Sequence, residues 1–165
     1  EFGRDPGAVK AITSAVKASS RLPVWVKLSA SRADPAELAR AAEEAGADAV
    51  VLSNTLRGMA IDLEKKKPAL GGIFGGLSGP AIKPVALAAV YETARAVRIP
   101  VIGCGGISTG KDALEFLLVG AKAVEVGTAA LVNPMAPVEI LEEVKNYLAE
   151  LGIKSTDGWI GKIQL

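Results

Sequence analysis

Four short apolar runs recur along the chain: "PVWVKLS" (23–29), "DAVVLSN" (48–54), "IPVIGCGG" (99–106) and "KAVEVGT" (122–128). None alternates apolar with polar residues. A strand with one wet face would alternate, so these runs read as parallel strands covered on both faces. The segments between them read as helices. Asp5-Pro6 and Asp34-Pro35 each place an N-cap carboxylate before a proline at the first helical position. The first helix is expected to reach about Ser19, and "PAELARAAEEAG" is stopped by Gly46. Further helices are expected over about 83–97, from Thr109 to Leu118, and from about Pro137 to Leu151. The polar Ser29-Ala30-Ser31-Arg32 turn bounds the first strand, and a tail with Trp159 follows the last helix.

The order is one helix followed by four βα units, with a weak internal echo. "EAGADAVVLSN" and "LVGAKAVEVGT" share a helix-ending Gly-Ala, a spacer, Ala-Val and a polar strand end. "LPVWVK" and "IPVIGC" form a second pair. Repeated βα units imply an α/β fold, either a (β/α)₈ barrel or a doubly wound sheet. A whole (β/α)₈ barrel takes about 250 residues, and the chain has 165. It reads as an open four-stranded sheet or as half a barrel whose other half lies elsewhere. Residues 55–80 are glycine-rich and end in "GGLSGPAIKP"; they read as a long loop, and long loops in compact domains are usually functional.

Composition removes several kinds of chemistry. With no histidine, the chain offers no Ser-His or Cys-His pair and few zinc-ligand sets. With one cysteine, Cys104, it holds neither a disulfide framework nor an iron–sulfur cluster of its own, and a reducing cytoplasmic setting is expected. A net charge of +1 without a basic, aromatic-laced cluster points away from nucleic acid. Lys65-Lys66-Lys67 reads as a solvated loop. No apolar run approaches the roughly 18 residues of a membrane helix, and no signal-peptide pattern is visible.

Parallel α/β folds bind ligands at the C-terminal ends of their strands. In order, those ends carry Lys27, then Ser53-Asn54-Thr55, then Gly105-Gly106, then Gly127-Thr128. Glycine lets backbone N–H groups approach an oxyanion. If the last two strands are the seventh and eighth of a barrel, both glycine turns fall where barrels hold phosphate. Lysine is rarely buried without a partner, so Lys27 reads as a ligand contact. Asn54 reads equally well as a turn cap or a ligand group. Cys104 reads as a small buried residue, since no base is visible to activate it.

At these residues the chain resembles dihydroorotate dehydrogenase. "PVWVKLS", "SNTLRGMAIDLE", "GGLSGPAIKP", "IPVIGCGGISTGKDALEFLLVGA" and "AVEVGTA" follow in that family's order across almost the whole chain. The resemblance is strongest to the NAD-linked bacterial and archaeal class, known as 1B. It implies the C-terminal half of a TIM (β/α)₈ barrel, residues 1–165, in a single FMN-binding domain. By the family pattern, Lys27, Ser53, Gly79, Gly105, Gly106, Gly127 and Thr128 hold FMN, with the two glycine turns on its phosphate. Asn54 and Thr55 hold the orotate ring.

The implied reaction is oxidation of (S)-dihydroorotate to orotate in pyrimidine biosynthesis. Electrons would pass to NAD⁺ through a partner subunit carrying FAD and a [2Fe–2S] cluster, in a heterotetramer. The family's catalytic base would lie just before Glu1, so no catalytic residue is expected within this chain, and no metal. The expected partners are dihydroorotate or orotate, the N-terminal half of the barrel and the electron-transfer subunit, with no nucleic acid and no membrane. Two alternatives stand beside this one: a half-barrel module without catalysis, and a related FMN barrel acting on another pyrimidine.

Overall fold

The computed structural model describes residues 5–30 and 33–164; Ser31 and Arg32, half of the turn expected after the first strand, lie outside the described residues. The first part of the chain forms α1 (Pro6–Ser19), β1 (Trp25–Leu28), α2 (Pro35–Glu44) and β2 (Ala49–Leu52). Four short strands follow, β3 (Leu56–Gly58), β4 (Ile61–Asp62), β5 (Lys67–Pro68) and β6 (Gly75–Leu77). The rest is α3 (Lys83–Ala96), β7 (Val101–Cys104), α4 (Gly110–Leu118), β8 (Ala123–Glu125), α5 (Thr128–Val132) and α6 (Ala136–Glu150).

The helix starts are local chemistry. The Asp5 carboxylate accepts from the Ala8 N–H at 2.6 Å, and that of Asp34 accepts from the Ala36 N–H at 2.9 Å. Each satisfies a donor that the first turn of a helix leaves without an intrahelical partner. At α4, Thr109 accepts from the Asp112 N–H while Asp112 reaches back to the Thr109 N–H, a capping box.

The main sheet runs β1-β2-β7-β8, all parallel, in the order of the chain. A doubly wound sheet reverses its strand order at a switch point; this one never reverses. The helices also pack in succession, α1 on α2, α2 on α3, α3 on α4 and α4 on α6. They form one layer on one face, the arrangement of a barrel wall.

Between helices and sheet lies the core, where Leu28, Leu38, Val50, Leu52, Val90 and Phe116 are fully buried. Each such side chain contributes roughly 1.5–3 kcal/mol on leaving water. Phe116 explains a glycine in mid-strand: a Cβ on Gly103 would lie 2.5 Å from its ring.

The opposite face carries a second, smaller cluster of Ala49, Val51 and Ile102, with Cys104 packed on it. Covering on both faces holds for β2, whose four residues are all buried, but not for the edges. Trp25 of β1 is 56% exposed. Across this face the Lys27 ammonium meets the Glu125 carboxylate of β8 at 2.8 Å. In a flat sheet β1 and β8 would stand about 14 Å apart, so the pair is made across the concave side of a curved sheet.

Two elements differ from the sequence reading. Residues 55–80 are not a plain loop: β3 pairs antiparallel with β6, and β4 with β5, in nested hairpins. Glycine and charge mask the strand pattern here, since Arg57 faces Gly76 and Gly58 faces Gly75. The basic run is exposed, with Lys65 and Lys66 in the turn between β4 and β5, Lys67 opening β5, and Lys65 paired to Asp62. The fourth apolar run stops as a strand at Glu125 and turns at Gly127 into the short helix α5.

Candidate functional site

Because the four main strands are parallel, their C-terminal ends open on one rim of the sheet. A cleft of about 500 Å³ lies there, lined by Lys27, Ser53, Asn54, Thr55, Gly79, Gly105, Gly106, Gly127 and Thr128. Every site residue expected from the sequence is in it, although they come from five segments of chain. The volume falls within the roughly 300–1,000 Å³ usual for cofactor and substrate clefts.

The end of β2 forms the floor. The Ser53 N–H donates to the Cys104 carbonyl at 2.6 Å, and the Asn54 N–H to the Leu28 carbonyl at 3.0 Å. The segment is thereby tied to the ends of β7 and β1; the Leu52–Ser53 peptide is cis. Ser53 is buried, whereas Asn54 and Thr55 are exposed. The Thr55 N–H donates to Asn54 Oδ1 at 2.9 Å, which occupies that oxygen and leaves the Asn54 Nδ2 donors for a carbonyl or carboxylate.

Lys27 is held at 2.8 Å from Glu125 and 3.3 Å from the Cys104 sulfur. Burial pushes its pKa down, but hydrogen bonds to Glu125 and Cys104 outweigh burial and leave it raised, so the ammonium is charged. Cys104 moves the other way for a thiol that would react. Burial pushes it up, the Lys27 charge pulls it down, Glu125 adds to the rise, and the net shift is upward. Cys104 is half-buried rather than buried as the sequence reading has it, and the upward shift keeps it a thiol rather than a thiolate.

Two glycine turns make the wall. Gly105 and Gly106 have φ of +130° and +78°. A Cβ on Gly106 would lie 2.8 Å from the Lys83 nitrogen and 2.9 Å from the Gly79 carbonyl oxygen. Gly79, itself at φ +79°, accepts from the Ile82 N–H at 3.1 Å and starts the short 3₁₀ turn Pro80–Ile82. A Cβ on it would meet the Thr128 methyl at 3.6 Å, so Gly79 sits between the two turns. A Cβ on Gly127 would meet nothing within 4 Å. Among the described residues, the backbone N–H groups of Gly105, Gly106, Gly127 and Thr128 donate to no protein acceptor. A group of such donors around a cleft suits an anion with several oxygens.

Sequence reasoning missed the support behind this wall. Asp112, 9% exposed, meets the Lys83 ammonium at 2.6 Å and accepts from the Ser108 N–H and hydroxyl and the Thr109 N–H at 2.9–3.0 Å. Burial would raise its pKa, but Lys83 and the Ser108 and Thr109 donors hold it down at about 2. Lys83 also pairs with Glu115 at 2.9 Å. The Thr109–Asp112 spacing is a local signal for the capping box that the sequence reading did not use, and nothing local points to Lys83 as a partner. Ser108, Asn133 and Glu139 also line the cleft without having been anticipated. Among the described residues, no group of three His, Cys, Asp or Glu side chains could hold a metal ion, and no helix is long and apolar enough to cross a membrane.

The sequence profile of the family described as dihydroorotate dehydrogenase matches residues 1–148. The chain is 53% identical over 163 residues to the protein of Trichlorobacter lovleyi named dihydroorotate dehydrogenase B (NAD(+)), catalytic subunit, covering 99% of this chain and 54% of that protein. It is 54% identical over 164 residues to the protein of the same name from Desulforamulus reducens, again covering 99% and 54%. The chain thus spans about half the length of the curated relatives it matches. Among solved structures, dihydroorotate dehydrogenase from Eimeria tenella, in complex with ferulenol, superposes with a TM-score of 0.79 at 24% identity, over 96% of this chain and 48% of that one. That likeness shows the fold, about half of a TIM barrel. The chain belongs to the dihydroorotate dehydrogenase family.

Proposed function

We propose, from that membership, that residues 1–165 are the C-terminal half of a single FMN-binding (β/α)₈ barrel that oxidises (S)-dihydroorotate to orotate in pyrimidine biosynthesis. The observation that carries the reading is the convergence of Lys27, Ser53-Asn54-Thr55, Gly79, Gly105-Gly106 and Gly127-Thr128 on one cleft. The residues fit FMN: four unbonded N–H groups suit its phosphate, and the open space beside Gly127 leaves room for it. Bound there, FMN would supply the two-electron acceptor that protein side chains lack.

The chain's own groups divide the remaining work. The charged Lys27 would stabilise negative charge developing on the flavin ring. Buried Ser53 and the Gly79 backbone would bound the ring. The Asn54 Nδ2 and the Thr55 hydroxyl would hydrogen-bond the polar edge of the orotate ring and fix its orientation. No residue of the chain is assigned as the base, which in this reading belongs to the other half of the barrel. The neutral Cys104 thiol does not serve. The remaining partners in this reading are the other half of the barrel and an electron-transfer subunit with FAD and a [2Fe–2S] cluster. That subunit would deliver electrons to NAD⁺ in a heterotetramer in the cytoplasm.

The test is turnover of dihydroorotate by the protein together with its partner subunit, and the same measurement on Asn54→Ala. The wild type is expected to carry flavin and release orotate. Asn54→Ala should keep flavin and lose about tenfold or more in kcat/KM, as loss of a ligand hydrogen bond does. A wild type that binds FMN but turns over a different pyrimidine would overturn the substrate assignment; one that binds no flavin would overturn the reading as a whole.

A further inference from the structure

We infer that Asp112 is a positioning residue for the flavin phosphate: it holds the 105–109 turn in the shape that leaves the Gly105 and Gly106 N–H groups to the ligand. The inference rests on the reading of this cleft as an FMN site. Asp112 does not itself line the cleft. One carboxylate oxygen takes three donors, the Ser108 N–H, the Ser108 hydroxyl and the Thr109 N–H, and the other takes the Lys83 ammonium. Ser108 lines the cleft two residues beyond Gly106, so the carboxylate grips the turn from behind.

Lys83 extends the grip to a second segment. It opens α3 directly after the Pro80–Ile82 turn, and its backbone nitrogen lies where a Cβ on Gly106 would be only 2.8 Å away. The ion pair thus clamps the Gly79–Lys83 segment against the Gly105–Thr109 segment, with Gly106 closed between them. Were Asp112 only a helix cap, the Thr109 and Ser108 N–H bonds would suffice. The Lys83 pair joins two cleft-lining segments between which, among the described residues, no backbone hydrogen bond runs.

Positioning of a phosphate turn and general stability predict different ligand profiles. Riboflavin carries the ring of FMN without the phosphate, so the ratio of the two dissociation constants isolates the phosphate contribution. The experiment titrates FMN and riboflavin into flavin-free full-length protein by fluorescence, for the wild type, Asp112→Ala and Asp112→Asn, with thermal unfolding of each.

Asp112→Ala is expected to weaken FMN roughly tenfold or more, about what one lost charge-assisted interaction does, with riboflavin nearly unchanged. Asp112→Asn keeps an acceptor for the turn and should recover part of the FMN loss. If Asp112→Ala does not fold, Lys83→Gln carries the same expectation at smaller size. A FMN-to-riboflavin ratio equal to wild type in every folded variant, whatever the thermal shift, overturns the role of Asp112 and leaves the FMN reading standing. A wild type that binds riboflavin as tightly as FMN overturns the phosphate site itself.

Discussion

The two glycine turns look alike as sequence and differ in what the protein demands of them. Gly105-Gly106 is enclosed: both residues have positive φ, and side chains there would run into Ala86, Ile82, Lys83 and the Gly79 carbonyl. A side chain at either position would strain the fold. Gly127 has φ −103° and open space where a Cβ would stand. Folding asks nothing of it that alanine could not provide. A glycine with no steric duty toward its own protein, lining a cleft, reports on the ligand. The second turn is therefore the more informative about function, although the first is the more glycine-rich.

The sharpest way to break this contrast is Gly106→Ala. The positive φ and the close backbone atoms together should destabilise the fold by roughly 2–4 kcal/mol, read as a fall in denaturant midpoint. A loss under about 0.5 kcal/mol would mean the turn is not enclosed as described.

Acidification probes the support behind that turn. The Asp112 pKa is depressed to about 2 in the folded chain, so its contribution is present above the unfolded value near about 3.9 and is lost as the pH falls through about 2. The loss should amount to about 2 kcal/mol between pH ~4 and ~2, and it should vanish in Asp112→Asn when unfolding free energy is followed against pH.

Gly127→Ala should give the reverse of Gly106→Ala: stability within about 0.5 kcal/mol of wild type, but FMN bound several-fold more weakly. Equal FMN affinity would remove the ligand from the account of this turn. The smallest effect is expected on the concave face, away from both turns. Glu125→Gln should barely change stability, because the Lys27–Glu125 pair is half-exposed. It should, however, lower the pH at which Cys104 reacts with iodoacetamide, since Glu125 helps hold that thiol up. An unchanged alkylation profile would separate Glu125 from Cys104.

Legibility followed range along the chain. Asp5, Asp34 and Thr109 declare their helices because a cap acts on the next three residues. Lys27, Asn54 and the glycine turns were readable as site residues because in parallel strands the C-terminal ends must share a rim. The hairpins of residues 55–80 were not, because Leu56 pairs with Leu77 across a glycine-rich, charge-broken stretch that carries no alternation. Nor was Lys83, whose partner Asp112 lies across a whole βα unit.

The sequence by itself determined the order of elements, their starts and which residues stand at strand ends, since each depends on backbone geometry within a few neighbours. The tertiary structure alone decided that the sheet curves until Lys27 reaches Glu125, that Gly106 is enclosed while Gly127 is open, and that Lys83 meets Asp112. Those are contacts between segments brought together by packing, and no local pattern of residues encodes their distance.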